Sequence, residues 1–380
     1  MGGPLTGLRV AEMVGLGPGP FCGMLLADMG AEVLRVDRVD AADAVDRSRP
    51  AASAMDRGKQ AVAIDLKRPD GVEALLRIVE QADAFVDVWR PGVAERLGLG
   101  PDACLARNPR LVYGRLTGWG QAGPFAHAAG HDIDYIALAG ALEQLGRAGE
   151  KPTPPINVLG DFAGGGMLLA FGIACAAFET ARSGKGQVID AAMVDGAALM
   201  LTPFYAARAS GFWGERGTNF LDTGAPFYEV YETADGKFVA VGAVEPQFYA
   251  ELMTRLGRDD ADLGAQYDKD RWPDEKERMA AVFRTKTRDE WCALLERSDA
   301  CFAPVLTPLE APAHPHNRAR GTFLELDGVP QPAPAPRFSR TAATVAGPPM
   351  HAGDDTEAVL GRWGFDPAEV ARLREAGAVL

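Results

Sequence analysis

Short apolar runs bounded by glycine, proline or charge recur through the first third of the chain. They alternate with stretches whose apolar residues fall at helical spacing. The runs at 8–13, 32–37 (EVLRVD), 61–66, 84–89 and 111–116 read as buried strands. GLGPGP at 15–20 breaks the first run, after which 21–29 reads as a helix; a second, amphipathic helix covers 72–82. Strands separated by helices imply right-handed crossovers and a parallel sheet. The chain therefore opens as an α/β, Rossmann-like doubly wound domain. Helical spacing dominates from 134 to about 210, interrupted by Pro152, Pro154 and Pro155 and by Gly184-Lys185-Gly186, with 187–192 composed like a further strand.

Past Gly217 the texture changes. Apolar segments at 227–233 and 237–244 flank Ala234-Asp235-Gly236, whose Asp-Gly pair is a hairpin signal. Charged helices at 275–285 and 288–298 and a strand at 301–306 complete a smaller α+β domain. The expected organisation is a large domain at 1–195, a linker helix region at 196–219, the small domain at 220–310 and a return segment to the large domain at 311–380. PQPAPAP at 330–336 is too rich in proline for a helix or a central strand and should run extended. Asp366-Pro367-Ala368-Glu369 has the order of a helix start, and Gly377 the character of its end.

Charge and cysteine content narrow the classes. A net charge of −13 argues against a general nucleic-acid surface, though not against a local basic pocket. The cysteines Cys22, Cys104, Cys175, Cys292 and Cys301 lie far apart without zinc or redox spacing, so they read as small buried hydrophobes and no metal site is expected. The first residues carry no charged segment followed by an apolar one, and the last three are no peroxisomal address. The longest apolar run, at 167–178, stops at Glu179, short of a bilayer's thickness, and reads as a core helix. A cytoplasmic protein without a membrane segment is expected.

Several motifs can carry chemistry. GLGPGP sits where a dinucleotide loop would, with Asp37 about twenty residues on, but Pro20 replaces the third glycine and Pro18 and Pro20 lack the N–H groups that a pyrophosphate needs. Arg38, Arg57, Lys59, Arg90 and Arg96 flank the ends of predicted strands. They are either ordinary solvated charges or a cluster at the carboxyl edge of the sheet suited to a ligand with several phosphates. His131, in GHDIDY, is either a packing histidine or a base. Asp161, in GDFAGGG, is either a helix cap or part of a reaction site, because three glycines at a helix start are costly unless something approaches the backbone closely. Free N–H groups there can also stabilise an oxyanion. Glu245, before Pro246, has the look of a helix-start charge.

Taken together, PLTGLRVAEMVGLGPGPFCGMLLADMGAEVLRVDR, RPGVAERLGLG, GRLTGWGQAGP, AGHDIDYIALAG, GDFAGGGMLL, SGKGQVIDAAMVDG, DGKFVAVGAVEPQFY and PAPRFSRTA resemble the α-methylacyl-CoA racemases of the class III CoA-transferase superfamily over nearly the whole chain. The resemblance implies an isomerase that interconverts (R)- and (S)-2-methylacyl-CoA thioesters through an enolate. It implies catalytic roles for His131, Asp161 and Glu245, with His131 and Glu245 forming one base and Asp161 the other. CoA, carried by the substrate rather than held as a cofactor, is implied to contact Arg38, Arg57, Lys59, Arg90 and Arg96, with Ala61 and Tyr135 as additions. The implied assembly is an interlocked homodimer in which Glu245 reaches His131 from the partner chain.

The chemistry is coherent. Inverting a weakly acidic carbon needs a base on one face and a proton donor on the other, and two bases let either enantiomer react. Histidine and aspartate differ by several pKa units in water, so near-symmetric exchange requires burial or a neighbour to close the gap. Met167, Met193 and Met200 can offer flexible apolar surface to an acyl tail or simply pack the core. A CoA-transferase of the same superfamily, with Asp161 as nucleophile, is a second reading. It is disfavoured because transferases carry an aromatic residue at the histidine position, lack the glutamate of VEPQFY and have a glycine-rich loop not found here. A non-catalytic acyl-CoA- or NAD-binding protein is a third.

Overall fold

The computed structural model describes residues 2–46, 51, 53–258, 262–354 and 356–380. Two compact units emerge, one of Met1–Ala139, Ile156–Met200 and Gly321–Leu380, the other of Gly140–Pro155 and Leu201–Arg320. Gly140–Pro155 thus packs with the smaller unit although it lies in sequence among the larger unit's helices.

In the larger unit, strands β1 (Arg9–Met13), β2 (Glu32–Asp37), β3 (Gln60–Ala63), β4 (Ala84–Asp87), β5 (Val112–Thr117) and β6 (Gln187–Ala192) form a sheet of order β3-β2-β1-β4-β5-β6. Every pairing is parallel. β1, β4 and β5 are buried almost throughout, because helices cover both faces; this is why they read as continuous apolar runs rather than alternating ones. The order reverses between β1 and β4, the crevice where sheets of this kind bind ligands at their carboxyl ends.

Helix α1 (Pro18–Asp28) opens on Pro18, whose ring presets the helical φ and whose missing N–H needs no partner there. Helix α2 (Pro69–Gln81) buries Ala74, Leu75, Ile78 and Val79 on one face. The carboxyl end returns to this unit: Val359, Leu360, Trp363, Val370 and Leu373 join the core around β1–β4. Its last helix, Pro367–Glu375, is capped as its sequence implies, with Asp366 accepting from the Glu369 N–H at 2.8 Å and Glu369 accepting from the Asp366 N–H at 3.2 Å. Part of the proline-rich segment runs extended as Val329–Pro332, pairing antiparallel with Phe323–Leu326.

Two expectations need correction. The apolar run at 167–178 lies within a longer helix: a π-helical segment, Val158–Met167, runs into α4 (Leu168–Ser183). Together they form a helix of 26 residues, long and apolar enough by length and composition to cross a bilayer. Its glycine-bearing first turns are packed within the unit, while Phe171 and Phe178 remain exposed. Of the cysteines, Cys22 and Cys104 are buried, but Cys175 is exposed on α4. Helix α5 (Met193–Met200) follows β6.

The smaller unit is built on the antiparallel sheet β7 (Tyr228–Glu232), β8 (Phe238–Gly242) and β9 (Phe302–Pro304). The hairpin turns where its Asp-Gly lies, with Gly236 at φ 69°. Helices α6 (Pro246–Arg255), α7 (Trp272–Phe283) and α8 (Arg288–Leu295) cover the sheet. Phe227, Trp272, Phe283 and Trp291 fill the core between them.

Candidate active site

Asp161 stands in the first turns of the π-helical segment. It is not the cap of a helix, as its sequence position suggested; the residue before the segment is Asn157, whose side-chain amide donates to Asp161 Oδ2 at 3.0 Å. The turn at Gly17 lies beside the same oxygen, where a β-carbon would stand 3.4 Å away, in ordinary contact. Asp161 is partly buried, and burial pushes its carboxyl above the ordinary value of 3.8. The Asn157 hydrogen bond pulls it back, the charge of Asp132 pushes it up again, and a charge on His131 pulls it down. On balance the charged form of Asp161 is disfavoured, chiefly by burial.

His131 is the exposed residue that precedes helix α3 (Asp132–Leu138), and its backbone N–H donates to Asp134 at 3.0 Å. Beside it, Asp132 is buried, and its Oδ1 accepts the N–H groups of both Gly160 and Asp161 at 2.7 Å each. Those two N–H groups, expected from sequence to be free for an enolate, are therefore occupied. Tyr135 braces the loop from within: its hydroxyl donates to the Gly130 carbonyl and its ring meets Trp119 edge-on at 4.8 Å. Gly118 and Gly130 are needed for that approach, since a β-carbon at either would stand 2.1 or 2.8 Å from the tyrosine ring. Burial and the Asp161 charge push the Tyr135 hydroxyl up to about 12, with Arg90 opposing.

The glycines of GDFAGGG have a different purpose from the one their cost suggested. Gly164 lies on the backbone of α5, where a β-carbon on Gly196 would fall 1.9 Å from the Gly164 carbonyl oxygen. A β-carbon on Gly166 would fall 2.5 Å from the Pro18 carbonyl oxygen. What approaches this backbone closely is the protein's own α1 and α5. The loop at 15–20 is explained in the same way. Gly15 and Gly19 make room for Val88 after β4, with gaps of 2.7 and 2.5 Å to a β-carbon. The Pro20 carbonyl receives Lys59, leaving little of a dinucleotide loop.

Among the basic candidates, Arg57 and Lys59 lie inside the unit. Arg57 is buried, paired with Asp28 at 2.6 Å and donating to Gln331 and to the Pro332 carbonyl. Lys59 is buried against Glu12 at 2.8 Å, where burial pushes the Glu12 carboxyl up against the opposing pull of Lys59. Both side chains are engaged by partners within the unit. Ala61 is buried in β3 and offers a ligand nothing beyond its backbone. Arg38, Arg90 and Arg96 are exposed, Arg38 alongside Asp40. Arg38 lines a cleft of about 490 Å³ at the carboxyl ends of the first four strands, together with Val14, Lys67, Trp89 and Leu97.

Glu245 lies in the smaller unit, exposed, immediately before α6 and without capping that helix through its side chain. The residues that sequence reasoning passed over are Asp132 and Asn157, together with Lys67 and Trp89 of the cleft. Asp132 stood inside a motif already singled out, but its partners are 28 and 29 residues away, a pairing that no local pattern announces.

Residues 5–356 match the model of CoA-transferase family III. The chain is 48% identical over 373 residues to an alpha-methylacyl-CoA racemase of Mus musculus, covering 97% of this chain and 96% of that protein. It is 46% identical over the same length and coverage to one of Homo sapiens. Among solved structures, a CAIB/BAIF family protein from Brucella suis superposes with a TM-score of 0.82 at 26% identity, covering 96% of this chain and all of that one. The chain belongs to CoA-transferase family III.

Proposed function

We propose that the protein is a 2-methylacyl-CoA racemase, an isomerase that removes the α-proton of the thioester and returns it to either face. The observation that carries this reading is a partly buried carboxylate, raised by burial, within electrostatic reach of His131, both in the larger unit. Likeness to two mammalian proteins named for that reaction supports it. Asp161 serves one enantiomer as base and His131 the other, each acting as proton donor when the other is the base. Raising Asp161 narrows the gap between the two groups, so that neither direction is strongly disfavoured.

CoA is bound as part of the substrate, its phosphates near Arg38, Arg90 and Arg96, and no resident cofactor is required. Chains associate as a homodimer in which Glu245 of the partner subunit supports His131. A carboxylate at that place would orient the ring by accepting a hydrogen bond from it.

Hydrogen exchange tests the reading. In heavy water, a 2-methylacyl-CoA incubated with the protein and no acceptor acid is expected to gain deuterium at the α-carbon while losing optical purity. Acyl transfer to an added carboxylate without exchange would instead favour Asp161 as a nucleophile, and binding with neither reaction would leave an acyl-CoA-binding protein.

A further inference from the structure

We propose that Asp132 is a positioning residue for the carboxylate base: one buried side chain links the His131 loop to the backbone of Asp161 and holds the turn that presents it. This rests on the proposed roles of His131 and Asp161. Asp132 is 5% exposed and follows His131 directly. Its Oδ1 takes two N–H groups at once, from Gly160 and from Asp161 itself, at 2.7 Å each. Gly160 makes this approach feasible, because a β-carbon there would stand 2.7 Å from the same oxygen. The other oxygen, Oδ2, is buried and has no hydrogen-bond partner among the described residues.

That unpartnered oxygen separates a clamp from an ordinary cap. A neutral amide could accept the same two N–H groups, and leaving a charged oxygen buried and bare is costly. Keeping a carboxylate there has an electrostatic consequence that an amide lacks. The start of a helix carries partial positive charge, which on its own would hold a neighbouring aspartate low. An anion seated on those N–H groups cancels that field and repels a second negative charge, in agreement with the upward push of Asp132 on Asp161. The other groups that act on Asp161 are His131, opposing, and Asn157, which donates to it. The Gly17 turn brings no charge, and the nearby Tyr135 is neutral, its hydroxyl held by Gly130.

Asp132→Asn keeps the shape and one acceptor but removes the charge. We expect kcat for α-proton exchange to fall roughly 10- to 100-fold, within the worth of a well-placed base, with KM for the acyl-CoA little changed. The acidic limb of the pH–rate profile should move to lower pH. A merely structural cap would lower stability without moving that limb. The companion measurement needs no activity: the Asp161 carboxyl carbon is titrated by NMR in [13C]aspartate-labelled protein, assigned through Asp161→Asn. Its midpoint should fall in Asp132→Asn. Should that variant not fold, Gly160→Ala, which pushes the carboxylate off the turn, is expected to lower the midpoint in the same direction. An unchanged midpoint and an unchanged limb overturn the proposal. If the unaltered protein shows no exchange at all, the racemase reading fails, and the titration still decides whether Asp132 tunes Asp161.

Discussion

At Asp161 the carboxylate form is disfavoured by burial, so the group should become protonated as pH falls through a value above 3.8. On the proposed mechanism, exchange of the enantiomer that uses it as base should therefore be lost at a higher pH than for a free aspartate. Asn157→Ala removes a hydrogen bond that holds the carboxyl down and should move this limb further up, read from kcat/KM against pH. His131→Ala and Asp161→Ala should each slow exchange by about two to four orders of magnitude; turnover at the unaltered rate in either would remove that residue from the mechanism. Lys59 belongs to a different class. Removing it leaves Glu12 buried without its counter-charge, so Lys59→Ala should cost about 3–5 kcal/mol of stability in denaturant unfolding. Arg90→Ala, at an exposed position, should instead weaken CoA binding measured by calorimetry and leave the unfolding midpoint in place.

At the scale of elements, the tightest constraint is the crossing of the π-helical segment with α5. A methyl group on Gly196 would lie 1.9 Å from the Gly164 carbonyl oxygen, so backbone must move. Gly196→Ala should destabilise by about 1–3 kcal/mol, the usual range for overpacking, and should also disturb Asp161, three residues before Gly164. A melting temperature equal to that of the unaltered protein would show that the crossing accommodates a methyl group. The same elements show what a sequence can disclose. The strands were legible because buried parallel strands are short apolar runs closed by glycine or proline, and the hairpin because Asp-Gly favours one kind of turn. The π-helical turns were not, since the shift in hydrogen-bond partner leaves no mark on residue type. His131, Asp161 and Glu245 were legible only inside whole motifs. The burial of Arg57 and Lys59 was not legible, because charges beside strands look alike in sequence whether they end in water or against Asp28 and Glu12.

For the molecule as a whole, the question is what covers its apolar exterior. Phe171 and Phe178 of α4 are 66% and 67% exposed, and Val188 is exposed on β6, the strand at the sheet's open edge. Aromatic side chains one above another on a helix beside an uncovered strand are what a stable partner buries and what a lone subunit in water would not keep. The proposed homodimer would account for this surface and would connect it to chemistry, because in that proposal the carboxylate that supports His131 comes from the partner. Replacing Phe171 and Phe178 together by glutamate places two charges on that face without touching His131, Asp161 or Glu245. Sedimentation velocity should then show monomers where the unaltered chain shows dimers. If the proposal holds, exchange should fall at low protein concentration and recover in part as concentration rises, with association returning the partner's carboxylate to the site. A fully active monomer, of either the variant or the unaltered chain, would mean that each chain completes its own base pair and that the apolar face meets something else; association with lipid vesicles would then be the next measurement, since the 26-residue helix that bears it is long enough for a bilayer.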